Sequence, residues 1–111
     1  ENDMLQISIE QLHHMPTAFA CNCDNSAYYL MQKLQAKGYR IPDDISIVGF
    51  DNYILSEMTT PKMTTYEVNL DKMALASIQQ LQQRLAEPER PWEQLIISGH
   101  FIQRDSVKKI N

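Results

Sequence analysis

The stretch Ile45-Ser46-Ile47-Val48-Gly49-Phe50-Asp51-Asn52 decides how this chain is read. Its first half is mostly apolar and β-branched, the composition of a central strand in a parallel sheet. It ends in a glycine, an aromatic and two polar residues. Upstream, Ala27, Leu30, Met31 and Leu34 recur at helical spacing across residues 25–37, and Gly38 follows where a left-handed cap is expected. Before that helix, residues 17–22 form a short, mostly apolar run that suits a strand buried on both faces. Strand, helix and strand make one βαβ unit, so the fold class is α/β.

Nearer the start of the chain, Ser8-Ile9-Glu10-Gln11 has the form of a capping box and predicts a short helix running to about Met15, before Pro16. After Asn52 the chain is irregular to about Met63, with one helical turn expected over residues 54–58. Residues 64–68 are extended and β-prone. Asn69 is a good N-cap for a second amphipathic helix, with Leu70, Met73, Ala74, Ser77, Ile78, Leu81 and Leu85 on one stripe. Pro88 and Pro91 end it, and residues 95–104 read as a closing strand. There is no internal repeat.

At 111 residues and 43% hydrophobic content the chain can bury a real core. A net charge of -4 with a pI near 5.2 gives no basic face for a phosphate backbone. No apolar run approaches the ~20 residues needed to span a bilayer and no signal-peptide pattern opens the chain, so no membrane partner and a cytoplasmic location are expected. Cys21 and Cys23 sit one residue apart, where extended backbone turns both side chains to one face; reduced thiols are expected. Glu1 is not an initiator methionine, and the chain is expected to begin partway through a larger protein.

In an open parallel sheet, ligands bind beyond the carboxyl ends of the strands. Two polar groups fall there. Cys23-Asp24-Asn25 follows the first strand and Asp51-Asn52 follows the second, and a right-handed crossover brings both to one rim. An ionised carboxylate at that rim accepts hydrogen bonds from hydroxyls or ring N–H groups, which suits a sugar, nucleoside or base. Asp24 is equally placed to cap the helix that follows, and Asp51 to shape a turn. Zinc at Cys21, Cys23, His13 and His14 is disfavoured, because Cys-x-Cys is not the spacing of a structural knuckle. Cys23 with His100 lacks a third group to orient a base, and Asp24 with Asp51 has no raised-pKa argument as a glycosidase pair, so no enzyme activity, no cofactor and no metal are expected. Trp92 and the Tyr28-Tyr29 pair suit packing at an interface better than stacking on a ligand.

In this order, Pro16-Thr17-Ala18-Phe19-Ala20-Cys21, Asp24, the run from Gly38 to Asn52, Pro61, Thr64-Thr65 and the closing Phe101-Ile102-Gln103-Arg104-Asp105-Ser106 resemble the lactose-repressor (LacI/GalR) family of bacterial transcription regulators. The match runs from about Met15 to Val107. The resemblance implies a three-layer parallel-sheet lobe, as part of a two-lobed sensor domain like the type I periplasmic binding proteins. Residues 1–64 and 95–111 would belong to the C-terminal lobe; residues 65–94 would supply a crossover and a helix of the N-terminal lobe. The DNA-binding head would lie outside this chain.

The resemblance further implies a repressor that holds a small-molecule effector between its lobes, forms a homodimer and changes its grip on operator DNA. The alternative with the same fold is a solute-binding protein of a sugar transporter. Asp51 matches the family aspartate that hydrogen-bonds effector hydroxyls. Asp24, at the same rim, is likewise expected to contact the effector. Cys23 replaces an Asn that touches ligand in many members, and Val68 stands where a polar crossover residue can reach it. Both changes imply a less polar pocket than a typical sugar repressor has. Tyr28 and Tyr29 on the first long helix, with Thr59 nearby, are implied at the dimer interface.

Overall fold

A computed structural model describes residues 8–111; the reading of Glu1 as an internal start lies outside the described residues. The elements are a short 3-10 turn (Ile9–Gln11), β1 (Ala18–Ala20), α1 (Asp24–Ala36), β2 (Ser46–Val48), α2 (Leu55–Met58), β3 (Thr65–Glu67), α3 (Leu70–Ala86) and β4 (His100–Ile102). β1 and β2 pair in parallel with Phe19 opposite Ile47, joined by α1, as the βαβ reading requires. β3 runs antiparallel to β4, with Tyr66 opposite Phe101. Parallel bridges Val48 to Thr64 and Asp51 to Glu67 carry β2 and its following loop onto β3.

The core lies between α1 and the strands. Ala27, Leu30, Met31 and Leu34 present one buried face of α1 to Ile41, Ile45, Ile47 and Met63. The helix stops at Gly38, whose φ of 90° only glycine adopts without strain, and the Tyr39 N–H closes back on the Leu34 carbonyl at 3.1 Å. Arg40 then donates through Nε and Nη2 to Asp44, at 3.0 and 2.8 Å, fixing the turn that leads into β2. That guanidinium holds the Asp44 carboxyl down to about 2.

Three expectations need correction. The capping box does not form: the Ser8 side chain makes no cap bond, the turn ends at Gln11, and Glu10 instead reaches Lys33 and Lys37 on α1 at 3.2 and 3.1 Å. β1 is not buried on both faces, because no described element covers Ala18 and Ala20. The closing strand spans three residues rather than ten, since β3 offers only three partners.

α3 stands apart. It begins as read, with Asn69 Oδ1 accepting from the Lys72 N–H at 3.0 Å, yet none of its residues is buried, and Leu70, Met73, Ile78, Leu81 and Leu85 are exposed. The molecule measures 58 × 32 × 26 Å with a radius of gyration of 18.4 Å. A compact chain of this length would have about 13 Å.

Candidate functional site

The carboxyl ends of β1 and β2 meet at one rim, and the two aspartates there have opposite fates. Asp24 is fully buried. Its Oδ1 accepts from the Thr65 hydroxyl and its Oδ2 from the Tyr53 N–H, both at 2.6 Å, while its own N–H donates to the Phe50 carbonyl at 2.8 Å. One side chain thus ties the start of α1 to the loop after β2 and to β3. Gly49 makes this possible: a Cβ there would lie 2.1 Å from Asp24 Oδ1 and 2.7 Å from Met63 Sδ.

Asp24 is also not the helix cap it resembled in the sequence. Cys23 holds that position, its Sγ accepting from the Ser26 N–H at 3.5 Å, with the Ser26 hydroxyl 3.3 Å away. Cys21 lies deeper, and burial, with Cys23 beside it, pushes its thiol from 9.0 up to about 11. The two cysteines are unbridged.

Asp51 is exposed, with φ of 106°, and Asn52 follows at 55°. A non-glycine residue at the first of these angles is strained. Backbone pairing holds it there: the Asp51 N–H donates to the Tyr66 carbonyl at 2.9 Å, and the Asn52 N–H to Thr65 Oγ1 at 3.3 Å. The Asp51 carboxylate makes no hydrogen bond or ion pair among the described residues.

Around this corner lies a network that the sequence did not announce. Arg104 Nη2 donates to Asn52 Oδ1 at 2.8 Å, and its Nη1 donates to Ser56 Oγ and the Met63 carbonyl, each at 2.9 Å. Asn52 Nδ2 donates to Glu67 Oε1 at 3.0 Å, and Glu67 Oε2 lies 2.7 Å from His100 Nε2. Glu67, Val68, Asn69, Leu70, Asp71 and His100 line an open cleft of about 370 Å³ beside it. Phe50 stacks on Tyr66 with ring centres 5.4 Å apart. The signal for Arg104 was its place in the closing motif; for the pairing of Glu67 with His100 there was none, because two residues 33 positions apart meet only once β3 and β4 pair.

Of the other singled-out residues, Val68 is half-buried at the cleft. Tyr28 and Tyr29 meet edge to face at 5.4 Å; Tyr29 is exposed, while Tyr28 packs partly against the core. Thr59 is buried and its hydroxyl donates inward to the Ser56 carbonyl at 3.3 Å, which leaves little of it to offer a partner. Trp92 is exposed beneath the Arg84 guanidinium, 4.7 Å from the ring centre. Among the described residues no group of three or more His, Cys, Asp or Glu side chains could share a metal ion, and no helix is long and apolar enough to cross a membrane.

Parallel strands crossed by a helix, with an open polar rim at their carboxyl ends, define part of a periplasmic-binding-protein-like α/β domain. The chain matches the model of the periplasmic binding protein-like domain over residues 1–107 and belongs to that family. It is 36% identical over 99 residues to the HTH-type transcriptional repressor ExuR of Bacillus subtilis, covering 89% of this chain and 30% of that protein. It is likewise 36% identical over 96 residues to the HTH-type transcriptional repressor PurR of Vibrio vulnificus, covering 86% and 29%.

Among solved structures, a LacI family transcriptional regulator from Enterococcus faecium with bound ribose superposes with a TM-score of 0.77 at 31% identity, covering 96% of this chain and 40% of that one. The transcriptional regulator LacI from Bacillus cereus subsp. cytotoxis superposes with a TM-score of 0.82 at 27% identity, covering 90% and 36%. The chain therefore spans about 30% of the length of the curated relatives it matches. The fold and the LacI-type resemblance expected from the sequence both stand.

Proposed function

We propose that this chain is the C-terminal part of the effector-sensing domain of a LacI-type transcriptional repressor, one that binds a small molecule without transforming it. The contrast between the two aspartates carries the reading. Asp24 has both oxygens engaged inside the protein, whereas Asp51, one strand away, holds a strained backbone and an uncommitted carboxylate at the carboxyl ends of parallel strands. In this reading Asp51 accepts hydrogen bonds from effector hydroxyls or N–H groups, Cys23 and Val68 border the pocket, and Asp24 lies beneath it as a structural support.

Residues up to about 64 and from about 95 form the C-terminal lobe, and residues 65–94 carry a crossover and α3 into an N-terminal lobe. The effector is a sugar, nucleoside or related metabolite; the ribose in a solved neighbour supports a hydroxyl-rich molecule. Operator DNA is gripped by another domain of the parent protein, as the repressor relatives suggest. The outer face of α1 with Tyr29 contributes to a homodimer in the cytoplasm. Effector bridging the lobes favours one lobe angle, and coupling of about 1–3 kcal/mol to the DNA heads suffices to change operator affinity several-fold or more.

A thermal-shift screen of neutral sugars, nucleosides and phosphorylated metabolites tests this, run on the chain joined to the lobe that precedes it. One chemical class is expected to raise the melting temperature in a concentration-dependent way, with the molecule recovered unchanged. A molecule consumed during the assay would overturn the reading.

A further inference from the structure

We propose that Thr65 is a positioning residue of this site: its buried hydroxyl, held between Asp24 and the Asn52 N–H, sets the left-handed corner that presents Asp51. The proposal takes its meaning from the effector-site reading, but its test needs no effector, so the two can fail separately.

The corner carries three consecutive N–H groups, and each has its own acceptor. The Asp51 N–H donates to the Tyr66 carbonyl at 2.9 Å, the Asn52 N–H to Thr65 Oγ1 at 3.3 Å and the Tyr53 N–H to Asp24 Oδ2 at 2.6 Å. The first two acceptors belong to adjacent residues of β3. The third is joined to them, because the Thr65 hydroxyl gives its proton to Asp24 Oδ1 at 2.6 Å and keeps its lone pairs for Asn52. Thr65 thus touches both the corner backbone and the aspartate beneath it.

Burial and branching fix that hydroxyl in place. Thr65 is fully buried, and a β-branched side chain is stiff at χ1. Its neighbour Thr64 is as deeply buried but serves the closing segment, with Oγ1 accepting from the Arg104 N–H at 3.0 Å. Two adjacent threonines therefore share chemistry and burial, and only Thr65 bonds to the corner. Without its hydroxyl the part-buried Asn52 N–H has no acceptor, and the φ of 106° at Asp51 loses one of the bonds that hold the corner against strain. Residue 65 also opens the stretch read as a crossover between lobes, so a movement of the crossover reaches the Asp51 corner through this bond.

Amide hydrogen exchange and NOE spectroscopy of the unliganded chain test this. Thr65→Val keeps the shape and removes the hydroxyl. Measured against the Leu30 and Leu34 amides of α1 in the same sample, its Asn52 amide is expected to exchange about tenfold faster than in the unaltered chain, the effect of one lost hydrogen bond. The strong intraresidue HN–Hα cross-peaks that positive φ gives Asp51 and Asn52 are expected to weaken. Thr65→Ser should retain both signals, and Thr64→Val, which removes a hydroxyl at the same depth, should leave both unchanged. Thr65→Cys takes the place of Thr65→Val should that variant not fold. Unchanged signals in the folded Thr65→Val or Thr65→Cys chain, signals lost in Thr65→Ser, or equal changes in Thr64→Val overturn the proposal.

Discussion

At the scale of single residues, the site rests on Asp24 being buried and Asp51 being strained. Replacing Asp24 with alanine leaves the Tyr53 N–H and the Thr65 hydroxyl without their acceptor inside the protein. Hydrogen bonds to charged groups are worth about 1.5–3 kcal/mol each, so urea denaturation of D24A should show a loss of about 3 kcal/mol or more. Asp51 should behave in the opposite way. At φ of 106° a glycine relieves backbone strain, and D51G is expected to gain about 1 kcal/mol of stability in the same assay while losing effector binding. A residue that weakens its own fold is most simply kept for what it binds.

These roles were only half legible. Asp51 was readable because it follows a strand with no helix behind it to cap. The Asp24 role was not, since an aspartate at a strand-to-helix junction looks the same whether it caps or is buried, and Cys23 took the cap through a sulfur that sequence rules do not favour. Glu67, and the links that join Asn52 and His100 to it, lay beyond reach, because nothing local marks residues brought together by strand pairing.

At the scale of elements, α1 and α3 were read close to their observed limits, because helical spacing and a capping Asn are local signals. Strand lengths were overestimated. A strand is only as long as its partner allows, and periodicity says nothing about partners. α3 gives the clearest element-scale prediction. Leu81 lies on its apolar stripe yet is exposed here, so Leu81→Ala should change the stability of this chain by less than about 0.5 kcal/mol. In the chain joined to the N-terminal lobe that the proposed function calls for, the same substitution should cost about 2–5 kcal/mol, as a buried leucine does. Paired denaturation curves measure both.

At the scale of the whole molecule, the extended shape and the bare face of α3 follow from one cause, a helix whose apolar stripe has no partner in the described residues. Contiguous exposed apolar surface of this kind drives association. Sedimentation velocity of the chain alone should show concentration-dependent self-association, reduced by Leu81→Glu.

The proposed function stands or falls on Asp51 as the effector contact. Calorimetry on the chain joined to its preceding lobe, using the molecule found by the thermal-shift screen, compares the unaltered protein with Asp51→Ala. The folded D51A protein is expected to lose at least about 1.5–3 kcal/mol of binding free energy, the worth of a hydrogen bond to a charged group. Unchanged affinity in a folded D51A protein would contradict it and move the site away from the carboxyl ends of β1 and β2.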